Sequence, residues 1–256
     1  MELSLPKLSA ADFGATRDYL HNVAKVLGKL QQAFVPPEAH DWHYGLLVVE
    51  VGLATREFEV AGEAVQAVMD MQMGVVRVGG TQWSLEEYGA AAILDNLKVW
   101  LLGRGENRLV AMPEYGLHGS FDLAQSKSLG TAFWQLAEYC QHITASLQPG
   151  LVSPLLVYPH HFDLSLVWFP RNDERQASLG FSTGDETIPE PYMYLTAYPE
   201  PPTFKKLSLP PEAHWQADGF SGAVLLYSAL QSNSDPMQLL NNYAHNTLIA
   251  VAPLFN

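Results

Sequence analysis

Cys140 is the one cysteine in 256 residues. No intrachain disulfide can form, and no zinc cage of several thiolates is available. Its place inside a helical pattern makes it a small core residue. Charge is scarce too. Charged residues make up 16% of the chain, against about a quarter in an average domain, so Gln, Asn, Ser and Thr must carry part of the surface. Positive charge is scarcest: 14 Lys and Arg stand against 27 Asp and Glu, a net charge of -13. Apart from Arg104/Arg108 and Lys205-Lys206, the basic residues are scattered singly. A binder of phosphate backbones replaces condensed counterions with Lys and Arg, so neither nucleic acid nor an anionic membrane surface is an expected partner. No apolar run reaches the ~18 residues of a membrane-crossing helix. The opening "MELSLPKLSAADFG" has no basic stretch followed by an apolar one, so no secretory signal is expected. The expectation is a soluble, cytoplasmic protein. Also missing are the Gly-x-Ser-x-Gly elbow, the Walker loop, the dinucleotide fingerprint, His-Glu-x-x-His and the EF-hand loop.

Hydrophobic residues make up 48% of the chain, enough for a large core. Phe13, Leu20, Val23, Ala24, Leu27, Leu30 and Phe34 form one apolar stripe, predicting a helix over 10–34 capped by Ser9 and ended by "VPP" at 35–37. Val-rich segments bounded by Gly predict strands near 44–51, 56–61, 64–70 and 73–78, an antiparallel meander. "SLEE" at 84–87 has the form of a capping box. The stripe Tyr88, Ala91, Leu94, Leu97, Leu101 then predicts a helix that Gly103 stops. "NRLVAMPEYG" predicts a short strand and a turn. A long helix follows, clearest from Leu129 to Leu147. The period then changes to two, predicting strands near 153–158, 162–169, 176–182 and 192–198. "LPPEAHW" reads as a single turn and "GAVLLYSAL" as a strand or buried helix. Asp235-Pro236 opens a final helix to about Val251. The fold class is α+β with mainly antiparallel sheet, flanked by N-terminal, central and C-terminal helices. One domain is expected, with two fused lobes meeting near 112–120 as the alternative.

Four polar clusters interrupt this pattern. In "PHHFD" at 159–163, strand alternation puts His160 with Phe162 and Leu164 on one face and His161 with Asp163 and Ser165 on the other. His161 and Asp163 would then hold a metal together, or Asp163 would fix the His161 tautomer for base chemistry. The bland alternative is a histidine satisfied by a backbone carbonyl. In "STGDETIPEPYMYLTAYPEP" at 182–201, Asp185, Glu186 and Glu190 follow a turn, Glu190 being held between Pro189 and Pro191. Tyr192, Tyr194, Thr196 and Tyr198 share one strand face, suited to stacking on a sugar or base, or to being an ordinary half-covered sheet face. In "HDWHYG" at 40–45, His40 and His43 bracket Trp42. On a helical turn the two histidines would share an ion; the alternative is a Trp anchoring a loop. In "HGSFD" at 118–122, His118, Ser120 or Asp122 would cap the long helix.

These stretches resemble a bacterial family known only as a domain of unknown function. The resemblance rests on "PHHFD" and on "GFSTGDETIPEPYMYLTAYPEP" at 180–201. It extends to "PPEAHDWHYGLLV" after the first helix, to "GLAT" at 52–55, and to His118, Phe121 and Asp122 before Phe133-Trp134. Thr183 stands where the family usually has Pro, and "ERQAS" stands where some members have a His-Glu pair. The family carries no known activity, so the resemblance implies kinship and no mechanism.

Three readings follow. One is a cleft of His161, Asp163, Asp185, Glu186 and Glu190, closed by His43 or His118. There His161, Asp163 and Glu190 would hold a divalent metal, hydrolytic or non-haem iron. Another is a non-catalytic module in which Trp42 and Tyr194 hold a carbohydrate or an aromatic small molecule. In the third, the motifs are architectural.

Overall fold

The computed structural model describes residues 3–8, 10–108, 119–147 and 150–255. Along the chain, α1 spans Ala10–Phe34, and seven strands follow: β1 Leu46–Val49, β2 Gly52–Ala54, β3 Phe58–Val60, β4 Glu63–Val65, β5 Ala67–Asp70, β6 Val75–Val78 and β7 Thr81–Ser84. Helices α2 (Ala90–Leu102) and α3 (Leu123–Thr144) come next. Then come β8 Leu151–Val152, β9 Leu156–Tyr158, β10 Asp163–Phe169, β11 Gln176–Ser182, β12 Tyr192–Tyr198, β13 Ala213–Gln216 and β14 Gly222–Leu226. Three short helices close the chain, α4 Tyr227–Ser232, α5 Pro236–Leu240 and α6 Asn246–Val251, with a π-helical turn at Asn241–His245 between the last two. The fold is α+β with antiparallel sheet, as the periodicities predict.

The chain divides into two compact units. Residues 11–134 and 156–162 form one, here the N-terminal unit; residues 1–10, 135–155 and 163–256 form the other, the C-terminal unit. In the N-terminal unit, antiparallel strands run in the order β9-β1-β2-β5-β6-β7, and β3-β4 is a separate hairpin. Leu20, Val23, Ala24, Leu27 and Leu30 of α1 are fully buried, as their stripe requires. Each large aliphatic side chain so buried contributes about 1.5–3 kcal/mol relative to exposure. In the C-terminal unit the order is β13-β14-β12-β11-β10, again antiparallel, and β8 also pairs with β10. Its core holds Leu164, Leu166, Leu179, Phe181, Met193 and Leu195. Asp235 caps α5, accepting from the Gln238 amide at 2.9 Å, with Pro236 in the first turn.

Several local expectations are corrected. Ser84 accepts from the amides of Glu86 (3.2 Å) and Glu87 (3.3 Å), but at the end of β7. It closes a turn, and α2 starts later, with Gly89 at its cap and no side-chain cap bond. Residues 213–216 form a strand because Ala213–Gln216 find a partner in β14, which no local signal encodes. Thr81–Ser84 likewise pairs with β6. The Ser9 cap, and 109–116 of the strand and turn predicted over 107–116, lie outside the described residues, as does much of the 112–120 segment.

Candidate functional site

The "PHHFD" stretch is not a continuous strand. Residues 159–162 form a turn between β9 and β10. The amides of His161 (3.2 Å) and Phe162 (2.8 Å) both donate to the Tyr158 carbonyl, and Phe162 takes φ 56°. Pro159 has no N–H for a ladder, and a left-handed residue ends strand alternation. The placing of His161 on one strand face with Asp163 and Ser165, and of His160 on the other with Phe162 and Leu164, is therefore corrected; Asp163 and Ser165, both in β10, keep the alternation. His160 and His161 are both exposed, their rings 4.2 Å apart, while Phe162 is fully buried.

The turn is fastened to α1. The His21 Nε2–H donates to the Pro159 carbonyl at 2.8 Å, and its ring stacks on Phe162 at 5.3 Å and 7°. Phe162 in turn meets the Phe133 edge at 5.5 Å. Burial, with the Lys25 charge, pushes the His21 pKa down to about 4, so the ring is neutral at pH 7. One helical turn pair further on, Gly28 lets Pro159 lie directly on the helix: a Cβ there would sit 2.6 Å from the Pro159 Cγ. Positions 21, 25, 28, 29 and 32 fall on one side of α1.

Beside this contact lies a cavity of about 390 Å³, lined by Lys25, Gly28, Lys29, Gln32, Tyr44, Pro159 and His160. All belong to the N-terminal unit. Tyr44 comes from "HDWHYG" and His160 from "PHHFD", so two motifs distant in sequence meet here. Sequence reasoning passed over Lys25, Lys29 and Gln32. Their signal was a pair of lysines four apart on the polar side of α1, with a glycine between them.

The "HDWHYG" segment is a distorted 3-10 turn with His40 (φ 55°) and Asp41 (φ 59°) left-handed. His43 is buried and its Nδ1 accepts from the Glu38 amide at 3.0 Å. Gln31, fully buried, donates to the carbonyls of His43 and Gly45, each at 2.7 Å, and accepts from the Arg56 amide at 2.7 Å. Trp42 is half-buried, its ring 5.3 Å from that of His40. These contacts shape the loop that presents Tyr44. His118 lies outside the described residues. Asp122 caps α3, accepting from the Gln125 amide at 2.8 Å.

In the C-terminal unit, register gathers a second polar group. Asp163 stands opposite Ser182, and Ser182 opposite Tyr192; Ser165 stands opposite Gly180, and Gly180 opposite Tyr194. The Tyr194 hydroxyl donates to the Asp163 carboxylate. Tyr194 crosses Gly180 to reach it, and a Cβ at Gly180 would collide with the Tyr194 ring and with the Leu164 carbonyl. Burial, then the Asp163 charge, hold the Tyr194 pKa well above its usual value, so the phenol stays protonated. The Tyr192 hydroxyl donates to Asp185 at 2.5 Å, and Asp185 also accepts from the amides of Thr187 (2.7 Å) and Ile188 (2.8 Å). Glu190 accepts from the Ser228 hydroxyl at 2.8 Å, and Glu186 is exposed. The tyrosine face follows period two, but Tyr192 is only 4% exposed and packs with Ile188, Val224 and Phe220, so it is no open stacking platform. Tyr198, 64% exposed, is the outlying member.

The expected cleft thus drew His161 from the N-terminal unit and Asp163, Asp185, Glu186, Glu190 and Tyr194 from the C-terminal one. Asp163, Asp185 and Glu190 each have a different hydroxyl donor. Among the described residues no group of three or more His, Cys, Asp or Glu side chains is placed to hold a metal ion. No helix among them is long and apolar enough to cross a membrane.

The model of a family of unknown function, DUF5996, matches residues 5–88 and 171–256. The match takes in α1, "HDWHYG", β11 and β12, and leaves out "PHHFD". No curated protein and no solved structure matches the chain.

Proposed function

We propose, for a chain that belongs to DUF5996, a family of unknown function, that it is a small-molecule-binding protein whose ligand occupies the cavity along α1. The observation that carries this reading is the convergence of α1, Tyr44 and the 159–160 turn on one concave space of about 390 Å³, within the range of about 300–1,000 Å³ usual for ligand sites. The surroundings support it. His21, Gly28 and Gln31 fix the walls through a backbone acceptor, a close packing contact and three hydrogen bonds, and a preformed wall lowers the ordering cost of binding. The lining offers ammonium, amide, hydroxyl and imidazole groups for orientation. It offers no carboxylate–imidazole pair and no nucleophile–base pair, so binding without chemistry is the reading it favours.

The test is a thermal-shift screen of the full chain against a small-molecule library, repeated on Gln32→Trp. Gln32 is exposed, so an indole there fills the cavity without disturbing the core. Compounds that raise the Tm of the wild type and lose that effect in Gln32→Trp are expected. Stabilisation that survives the blocking variant would contradict the reading.

A further inference from the structure

We infer that the ligand of this cavity is a small organic anion, its carboxylate or phosphate group held between Lys25 and Lys29 and its body lying against Tyr44 and Pro159; the inference rests on the reading of the cavity as a binding site. Three observations carry it. First, the ionisable groups of the lining are Lys25, Lys29, His160 and Tyr44, with no carboxylate among them. In a chain with 27 acidic and 14 basic residues, such a wall is a local reversal of the overall charge, and a local reversal attracts anions.

Second, both lysine charges are available. None of the ion pairs among the described residues includes Lys25 or Lys29. The Lys29 ammonium donates to the Gln32 Oε1 at 3.0 Å, a neutral acceptor that leaves the charge uncancelled and keeps the Gln32 NH₂ as a further donor. Lysines four apart on one helix face repel, a small cost to the helix, and an anion between them turns that cost into attraction. Ammonium groups are point-charge donors suited to phosphate and carboxylate oxygens.

Third, the space is too large for an inorganic ion. A water molecule takes about 30 Å³ of the liquid, so about 390 Å³ leaves room for an organic body. The walls beyond the charges are the Pro159 ring, the Gly28 backbone, the Tyr44 ring and the lysine stems, which are apolar along their length. An anionic head with a compact cyclic or aromatic body matches both parts.

Isothermal titration of the full chain at low ionic strength tests this, using phenyl phosphate, benzoate and neutral benzyl alcohol as probes, on wild type and on Lys25→Gln/Lys29→Gln. At least one anion is expected to bind, with benzyl alcohol at least tenfold weaker. The double variant is expected to lose about tenfold or more, the scale for removing charge-assisted hydrogen bonds. The stronger of the two anions identifies the head group. Benzyl alcohol binding as tightly as the anions, or unchanged binding by the double variant, would overturn the anionic ligand and leave the cavity reading standing. Failure of all three probes, together with a library screen that stabilises nothing, would overturn both.

Discussion

His21 shows how much one side chain settles. Its Nε2–H spans from α1 to the Pro159 carbonyl and its ring supports Phe162. Burial, with the Lys25 charge beside it, keeps the ring neutral by holding its pKa near 4 against an ordinary 6.5. The unfolded chain therefore binds a proton that the folded protein refuses between these values. Stability from this residue is full above about pH 6.5 and falls as pH drops toward about 4. In His21→Gln, whose amide can still donate to Pro159, the loss of urea stability between pH 6.5 and 4 is expected to be shallower than in wild type; equal slopes would show that His21 does not titrate this way. Cys140 behaves as its isolation in the sequence suggested. It is fully buried, and burial pushes its thiol up to about 12, far from a reactive thiolate.

At the scale of elements, periodic segments were legible and irregular ones were not. The stripe of α1 and the alternation of β11 and β12 define those elements over 10–34, 176–182 and 192–198. Alternation also placed Tyr192, Tyr194 and Thr196 on one face. The turn at 159–162 escaped because its surroundings are apolar and because Phe162 is left-handed, a conformation that an aromatic adopts only when its surroundings impose it. Ser84 carried a genuine capping pattern, but the chain used it to leave β7 rather than to enter α2. Gly180 is the opposite case, a glycine whose need is visible only in three dimensions. It opens the lane by which Tyr194 reaches Asp163 across β11. Because the Leu164 carbonyl also blocks a Cβ there, Gly180→Ala is expected to lower stability by about 1–3 kcal/mol, the usual cost of overpacking. Urea unfolding measures it, and an unchanged midpoint would show that the tyrosine lane has slack.

At the scale of the whole molecule, neighbourhood in sequence misled where the units interleave. The chain returns to the N-terminal unit for residues 156–162 and leaves it at Asp163, so "PHHFD" is divided between the units one residue before its carboxylate. A motif read as one site supplies Pro159 and His160 to the cavity and Asp163 to the tyrosine network. The cavity itself was illegible because most of its charge comes from α1, whose lysines look like an ordinary solvated face until Tyr44 and the turn close over them. The composition still bears on the outcome: in a chain of net charge -13, a wall with two lysines and no acid marks a place for an anion.

The most direct measurement is amide chemical-shift mapping of the labelled full chain titrated with phenyl phosphate. The account predicts perturbations concentrated at Lys25, Gly28, Lys29, Gln32, Tyr44 and His160. Perturbations concentrated instead at Asp163, Asp185, Glu190 and Tyr194 would contradict it and move the site to the tyrosine–carboxylate network.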